Sequence, residues 1–134
     1  MDVEVYNEET DFREVFELYK SLQWEAYTKD SQNLKSALVG SDLVLVSRKE
    51  SEIIGLIRCI SDGFSICYIQ DVLVRPSFQR EGIGTALMKV VLSKYSHVRQ
   101  VVLLTDSEEK QHDFYKSLGF REVKDDLAAF VKLS

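Results

Sequence analysis

Two glycines one residue apart, Gly82 and Gly84, mark the part of the chain whose residue types best suit ligand binding. They follow an apolar segment that predicts a strand, Ile66–Val74, and the only proline, Pro76. A segment with the apolar spacing of a helix begins at the glycines. Glycine lets a ligand approach bare backbone, and the unpaired N–H groups at a helix start carry partial positive charge. The pattern therefore predicts an anion site that suits phosphate.

Three kinds of phosphate loop can be compared with this segment. A Walker loop needs a lysine after its last glycine, where this chain has Thr85, and a dinucleotide fingerprint needs a third glycine at the position of Leu87. The remaining pattern is QREGIG at 79–84. It resembles the Gln/Arg-x-x-Gly-x-Gly/Ala loop of the GCN5-related N-acetyltransferases, a family that binds the pyrophosphate of coenzyme A on this loop.

A second motif supports the resemblance. The segment FYKSLGF at 114–120 matches the family's Phe/Leu-Tyr-x-x-Leu-Gly-Phe signature. Its spacing also predicts a helix that ends where Gly119 takes the left-handed conformation. The resemblance implies that Tyr115 is the general acid that protonates the departing thiolate. The structural alternative is an aromatic residue at the end of a core helix face.

The resemblance further implies a binding site for acetyl-coenzyme A along the fourth predicted strand and the glycine loop. Main-chain groups at a bulge, where the fourth strand parts from the fifth, would hold the pantetheine arm and the thioester carbonyl. Loop N–H groups would surround the pyrophosphate, with added charge from Arg75 or Arg80. The residues implied are Leu73, Val74, Gln79, Arg80, Glu81, Gly82, Ile83, Gly84 and Thr85. Many relatives have an asparagine near the start of the last helix, where this chain has Glu108, so that contact is lost or replaced.

Asp71 is a carboxylate inside an otherwise apolar strand, which is unusual enough to need a reason. A lysine-like amine has a pKa of about 10.4, so its proton must be removed before it attacks a thioester. Asp71, placed just before the expected bulge, would accept that proton or orient a water. The alternative is that it satisfies loop N–H groups.

Trp24, Glu25 and Tyr27 follow the first predicted helix, where the resembled family builds its acceptor site. The two aromatic rings would stack on an aryl or alkyl amine, or make a cation–π contact with it. The alternative is that these rings fill the gap between two helices.

Composition limits the class of protein. The chain has 134 residues, of which 45% are hydrophobic and 29% charged, so we expect one folded domain over 1–134. The net charge of −5 argues against nucleic-acid binding and suits a cationic amine. No apolar run or leader signal indicates a membrane partner, and we expect a cytoplasmic protein. Cys59 and Cys67 are expected to be reduced, buried thiols, and the spacing of His97 and His112 predicts no metal site.

The order of elements predicts the fold. The predicted strands after the first helices cover 43–47, 53–60, 66–74, 101–104, 120–124 and 128–132, and Thr10 is predicted to cap the first helix. A strand, a helix and a strand in succession give a right-handed crossover and a parallel pair. We therefore predict an α/β (α+β) fold with a mixed, largely antiparallel sheet of six to seven strands. The resemblance adds a parallel, splayed pair of the fourth and fifth strands, and helices on both faces.

Together these features predict an acetyl-coenzyme A-dependent N-acetyltransferase acting on a small primary amine through a direct, ternary-complex mechanism, as a monomer or homodimer. A second enzymatic hypothesis is transfer of the acetyl group to a protein N-terminus or lysine. A reading from another class is a non-catalytic acyl-coenzyme A-binding module, and the intact Tyr115 argues against it.

Overall fold

The computed structural model describes residues 2–134 and divides into two compact units, one ending at Leu104 and the other covering Thr105–Ser134. The first unit contains five strands, four α-helices and one 3-10 turn. In chain order these are β1 (Asp2–Val5), α1 (Glu8–Ser21), α2 (Glu25–Thr28), α3 (Ser31–Val39), β2 (Leu43–Lys49), β3 (Glu52–Ser61), β4 (Ile66–Val74), the turn Pro76–Phe78, α4 (Ile83–Lys94) and β5 (Gln100–Leu103).

The sheet has the strand order β1-β2-β3-β4-β5. Its first three pairings are antiparallel, and β4 pairs with β5 in parallel. The parallel pair confirms the prediction from the strand–helix–strand order, because the α4 crossover returns the chain in the same direction.

Helix α1 begins at Glu8, and its cap is Asn7, whose side chain accepts a hydrogen bond from the Glu9 N–H at 2.9 Å. The prediction that Thr10 caps this helix was therefore wrong. Asn accepts such a bond as well as Thr does, and Asn7 lies one helical turn earlier in the chain.

Helices cover both faces of the sheet, as predicted. Leu56 of β3 packs in one core with Val15 and Leu18 of α1. Its strand neighbour Gly55 must face the opposite side, and there a side chain would meet Ile83 at 2.8 Å. The α1 and α3 core thus lies on one face, and α4 packs on the other.

A bulge separates two parts of β4. Cys59 pairs with Ile69, whereas Arg58 pairs with Asp71, so Gln70 is an extra residue in the ladder. Because Arg58 and Cys59 are consecutive, they face opposite sides of the sheet. Asp71 therefore faces the α1 side with Arg58, and Ile69 faces the α4 side with Cys59. The prediction that Asp71 comes just before the bulge was therefore wrong. The bulge lies at Gln70, and Asp71 follows it.

The β4–β5 pairing ends at Ile69 and Leu103, immediately before the bulge. The rest of β4, up to Val74, has a strand partner on the β3 side only. The two parallel strands are hydrogen-bonded at one end of β4 and not at the other.

A partly buried ion pair connects α1 to the sheet. Asp11 in the first turn of α1 is 2% exposed and pairs with Arg48 of β2, which also binds Glu4 of β1 at 3.2 Å. Burial disfavours the Asp11 charge, but hydrogen bonds from the Asn7 N–H and from Arg48 outweigh it and lower the pKa of Asp11.

The second unit contains one helix, α5 (Glu109–Ser117). Gly119 has a φ of +94° and closes α5 as predicted, with the Phe120 N–H donating to the Tyr115 carbonyl and the Gly119 N–H to the Lys116 carbonyl. No strand is present in residues 118–134, so the predicted strands 120–124 and 128–132 were wrong. The sheet of the described residues has five strands, not six to seven.

Cys59 and Cys67 are buried free thiols, as predicted. Burial is the main cause that raises the pKa of Cys59, and the neighbouring Cys67 raises it further. Among the helices of residues 2–134, none combines the length and apolar character that a membrane crossing requires.

Candidate functional site

The glycine loop connects β4 to α4 with two left-handed residues. Arg80 has a φ of +68° and Gly82 a φ of +84°, and α4 begins at the next residue, Ile83. The Gln79 side chain donates to the Val74 carbonyl at 3.1 Å and holds the loop to the end of β4. A left-handed residue before a helix turns the backbone sharply, so that successive N–H groups can point the same way.

Six consecutive backbone N–H groups in this loop are free of intramolecular partners. Within residues 2–134, no atom accepts a hydrogen bond from any N–H group of residues 80–85, and Gly82 caps α4 without a side-chain bond. A Cβ at Gly82 would have no atom within 4 Å. Open space and unpaired donors at a helix start fit an anion such as a diphosphate.

Charged residues border the loop in different ways. Arg80 and Glu81 are exposed. Arg75 is partly buried and donates to the Ile53 carbonyl at 3.4 Å, with Glu52 at 4.0 Å. Arg75 and Arg80 were both expected to add positive charge near the pyrophosphate. Of the two, within the described residues, Arg80 has the guanidinium group that is free to do so.

Asp71 is the centre of a second group of residues, on the α1 face. Its carboxylate is 2% exposed and accepts hydrogen bonds from Arg58 Nε at 2.7 Å, Tyr19 Oη at 2.8 Å and Tyr27 Oη at 2.8 Å. We call Tyr19, Tyr27, Arg58 and Asp71 the Asp71 cluster. Its donors are side chains, not the loop N–H groups that the sequence analysis considered.

The Asp71 cluster extends to two polar side chains. Ser41 Oγ accepts a hydrogen bond from Arg58 at 3.2 Å, and Gln70 Nε2 donates to Tyr27 Oη at 3.1 Å. The extra residue of the bulge and the residue after it thus both contact Tyr27. This follows from the bulge, which directs both side chains toward α2.

Aromatic rings surround the cluster. Trp24 stacks on Tyr27 with ring centroids 5.9 Å apart, and Tyr19 lies 5.1 Å from Tyr27. The Arg58 guanidinium lies over the Tyr27 ring at 5.8 Å. Trp24 and Tyr27 are partly buried, so they fill space between helices and also retain exposed area. Glu25 is exposed, and within residues 2–134 its carboxylate makes no hydrogen bond.

The electrostatics of the cluster follow from burial and from Asp71. Burial and then the Asp71 charge raise the pKa of Tyr19 and of Tyr27, so both hydroxyls stay protonated. Burial disfavours the charged Arg58 guanidinium, but Asp71 outweighs it and raises the pKa of Arg58. The cluster is therefore an ion pair with two phenol donors.

Tyr115 lies on α5 in the second unit. Its ring packs against Phe114 at 5.0 Å and Phe120 at 5.9 Å. Burial raises the pKa of Tyr115, and the Thr105 side chain opposes this only in part. The hydroxyl is therefore protonated at neutral pH, which is the form that a general acid needs.

The structure brings together some of the predicted residues. Asp71, Trp24 and Tyr27 form one group, the glycine loop forms another, and Glu25 belongs to neither. Sequence reasoning missed Arg58 and Gln70. The sequence did contain a signal for Arg58. Like Asp71, it is a charged residue inside a mainly apolar predicted strand, and the two strands are neighbours in the chain. Among residues 2–134, no group of acidic, histidine or cysteine side chains could hold a metal ion.

Comparison with known proteins identifies the family. The family model described as "Acetyltransferase (GNAT) domain" matches residues 9–129, which cover most of each unit. A GNAT family acetyltransferase from Streptococcus pneumoniae, SP0256, is 32% identical and superposes with a TM-score of 0.85 over 99% of this chain and 98% of that one. The chain therefore belongs to the GNAT acetyltransferase family.

Two further relatives define the limits of the similarity. The acetyltransferase FG08082 of Gibberella zeae is 35% identical over 80 residues, which are 58% of this chain and 44% of that protein, so the chain spans about half the length of that curated relative. The structure of AAC(6')-Iy with the bisubstrate analogue CoA-S-monomethyl-acetylneamine has a TM-score of 0.76 at 16% identity over 98% of both chains. At that identity the likeness shows the fold alone.

Proposed function

We propose that this protein is an acetyl-coenzyme A-dependent N-acetyltransferase that acts on a small primary amine in a ternary complex. The observation that carries the proposal is the row of six unpaired N–H groups at 80–85, in a loop with the family's spacing. Amides preorganised at a helix start bind a diphosphate without a lysine. The whole chain is then one functional domain over 1–134.

The acyl carrier would be held by backbone more than by side chains. The unpaired N–H groups of Arg80, Glu81, Gly82, Ile83, Gly84 and Thr85 would surround the diphosphate. Gln79, whose own N–H donates to the Pro76 carbonyl at 3.4 Å, would hold this loop to β4 through its side chain. Leu73 and Val74 lie where β4 pairs with β3 and has no β5 residue opposite, so main-chain groups there would bind the pantetheine arm and polarise the thioester carbonyl. The Val74 carbonyl would exchange its hydrogen bond from the Gln79 side chain for one from the pantetheine arm.

Bound acetyl-coenzyme A supplies a thioester carbonyl, at which a C–N bond forms and a C–S bond breaks. The protein's part is proton transfer and alignment. Tyr115 would donate its hydroxyl proton to the leaving sulfur. The amine nitrogen gives up its proton to water.

For Asp71 we propose positioning through Tyr27. Three side-chain donors already occupy its carboxylate, and at 2% exposure it offers an amine no direct contact. Its two oxygens instead fix the hydroxyls of Tyr19 and Tyr27.

The acceptor site would be formed by Trp24, Tyr27 and the exposed Glu25. Stacked rings suit an aryl or alkyl amine, and Glu25 suits its ammonium form before deprotonation. The bisubstrate analogue bound by AAC(6')-Iy illustrates that a protein of this fold can take a small-molecule acceptor.

The proposal is tested in two measurements on the full chain. Calorimetry with acetyl-coenzyme A should show one site, with coenzyme A competing for it. Thiol release is then followed with 2-phenylethylamine, spermidine, kanamycin and a lysine-containing peptide. We expect faster release with a small amine than with the peptide. Binding without release on any amine would mean a non-catalytic acyl-coenzyme A module, and a peptide preference would mean a protein acetyltransferase.

A further inference from the structure

We propose that Gln70 orients the acceptor amine through its side-chain carbonyl oxygen, Oε1, and that Asp71 and Tyr27 set the direction of that amide. The inference rests on the proposed function and names a residue for it that the resemblance did not supply. Its basis is the chain of hydrogen bonds from Arg58 through Asp71 and Tyr27 to Gln70.

The direction of the Tyr27–Asp71 hydrogen bond follows from the charge of Asp71. Asp71 is paired with Arg58 at 2.7 Å, so its carboxylate is ionised and can only accept. Tyr27 has a single hydroxyl proton, and its Oη lies 2.8 Å from Asp71 Oδ1. That proton must therefore be donated to Asp71.

The hydrogen bond to Tyr27 determines which end of the Gln70 amide faces the tyrosine. With its proton used, Tyr27 Oη has only lone pairs to offer, and the Gln70 amide lies 3.1 Å away. Only the NH₂ end can make this bond, because the reversed amide would place two oxygens together with no proton between them. Oε1 therefore points away from Tyr27, and within residues 2–134 it accepts no hydrogen bond.

Gln70 lies at the point of the sheet where the pairing of β4 changes. It is the extra residue of the bulge, and it follows Ile69, the last residue of β4 that pairs with β5. Its side chain is exposed. Oε1 is thus an unused acceptor with a fixed direction, at the point where β4 separates from its parallel neighbour.

A neutral amide suits the orientation of a nucleophilic amine better than a carboxylate does. Its oxygen accepts one amine N–H and leaves the nitrogen lone pair free to attack. A carboxylate at the same place would favour the ammonium form, which has no lone pair. This distinction gives the glutamine a readout that a structural role would not produce.

The test uses thiol release with 2-phenylethylamine, or with the fastest amine of the four above. We expect Gln70→Ala to raise KM for the amine at least tenfold, with the Kd for acetyl-coenzyme A within twofold of wild type. Tyr27→Phe should raise the amine KM in the same way, since it frees the Gln70 amide. The double variant should be no worse than the worse single variant, because both changes remove the same contact. Gln32→Ala, an exposed glutamine on α3, is the matched control and should change nothing.

A second variant separates orientation from folding. Gln70→Glu keeps the size of the side chain, and we expect the rising limb of kcat against pH to move to higher pH, because the carboxylate stabilises the ammonium form of the bound amine. An unchanged amine KM in Gln70→Ala, or additive effects in the double variant, would overturn the inference and leave the proposed function intact. Absence of thiol release by the wild type with all four acceptors would overturn both.

Discussion

The Arg58 guanidinium and the Asp71 carboxylate form a buried ion pair between neighbouring strands, with 2.7 Å between Nε and Oδ2. Arg58 is 7% exposed and Asp71 2%. Two phenol hydroxyls complete the carboxylate's partners, so the pair has the extra hydrogen bonds that offset the cost of removing charge from water.

Removing one partner of this pair should be more damaging than removing both. Asp71→Leu leaves an unpaired buried guanidinium, and we expect it to lower the free energy of unfolding by about 3–5 kcal/mol. The double variant Arg58→Met with Asp71→Leu should recover a part of that loss. Urea unfolding followed by circular dichroism measures both. Strictly additive losses would contradict a direct interaction.

Asp71→Asn should distinguish positioning from proton acceptance. If Asp71 acts through Tyr27, the variant keeps the rising limb of the rate against pH and has a higher KM for the amine. If Asp71 takes the amine's proton, the limb disappears and kcat falls. We expect the first result, because three donors occupy the carboxylate and its burial keeps an amine from direct contact. Steady-state kinetics from pH 6 to pH 9, at about half-unit steps, decide between them.

Gly82→Val should weaken acetyl-coenzyme A binding by at least about a hundredfold, or about 2.7 kcal/mol. The added side chain fills the open space in front of the loop and strains a residue at a φ of +84°. The matched control is Gly63→Val in the β3–β4 turn, where φ is +82° and a Cβ also meets nothing within 4 Å. Equal losses of affinity in both variants would show that backbone strain, not the loop, is responsible. Calorimetry gives the two Kd values.

Tyr115→Phe should lower kcat and leave the Kd for acetyl-coenzyme A nearly unchanged. The raised pKa of Tyr115 means that wild-type kcat should show no falling limb up to about pH 10, the ordinary value for tyrosine. Tyr6→Phe is the control, because within residues 2–134 the buried Tyr6 hydroxyl has no hydrogen-bond partner. Parallel losses of kcat and of affinity in Tyr115→Phe would argue against the acid role.

The Asp11–Arg48 pair should contribute stability that depends on pH. The pKa of Asp11 is lowered in the folded state, so its contribution is complete above the unfolded pKa of about 3.9 and is lost as pH falls through the folded pKa. Asp11→Asn should cost about 1–3 kcal/mol at pH 7 and progressively less in acid. Urea unfolding at pH 7 and in acid measures the difference. Asp113→Asn, an exposed carboxylate on α5, should have no such effect.

Features that depend on local spacing were predicted correctly from the sequence. The strand, glycine loop and helix in succession required only the pattern at 66–94, and the left-handed Gly119 required only the end of one helix. The predicted strands 120–124 and 128–132 contain aromatic and β-branched residues that favour strands, but a strand exists only where an edge pairs with it, and residues 118–134 have no such pairing.

The Asp71 cluster could not be assembled from spacing. Its hydrogen bonds join Asp71 to residues 13, 44 and 52 positions away in the chain. The single extra residue at Gln70 decides which face Asp71 occupies, and nothing in the strand's composition marks that residue. The charged residue in an apolar strand indicated a special site. Which face of the sheet the Asp71 side chain occupies depended on the strand register, which the sequence did not reveal.

The bulge at Gln70 fixes the register of the β3–β4 hairpin. If Gln70 paired with Arg58 in a regular ladder, the Asp71 carboxylate would face the apolar packing of α4, and Arg58 would lose its counter-ion. Evolution or a protein engineer can therefore exchange side chains in this hairpin far more readily than slide its two strands past each other by a single step.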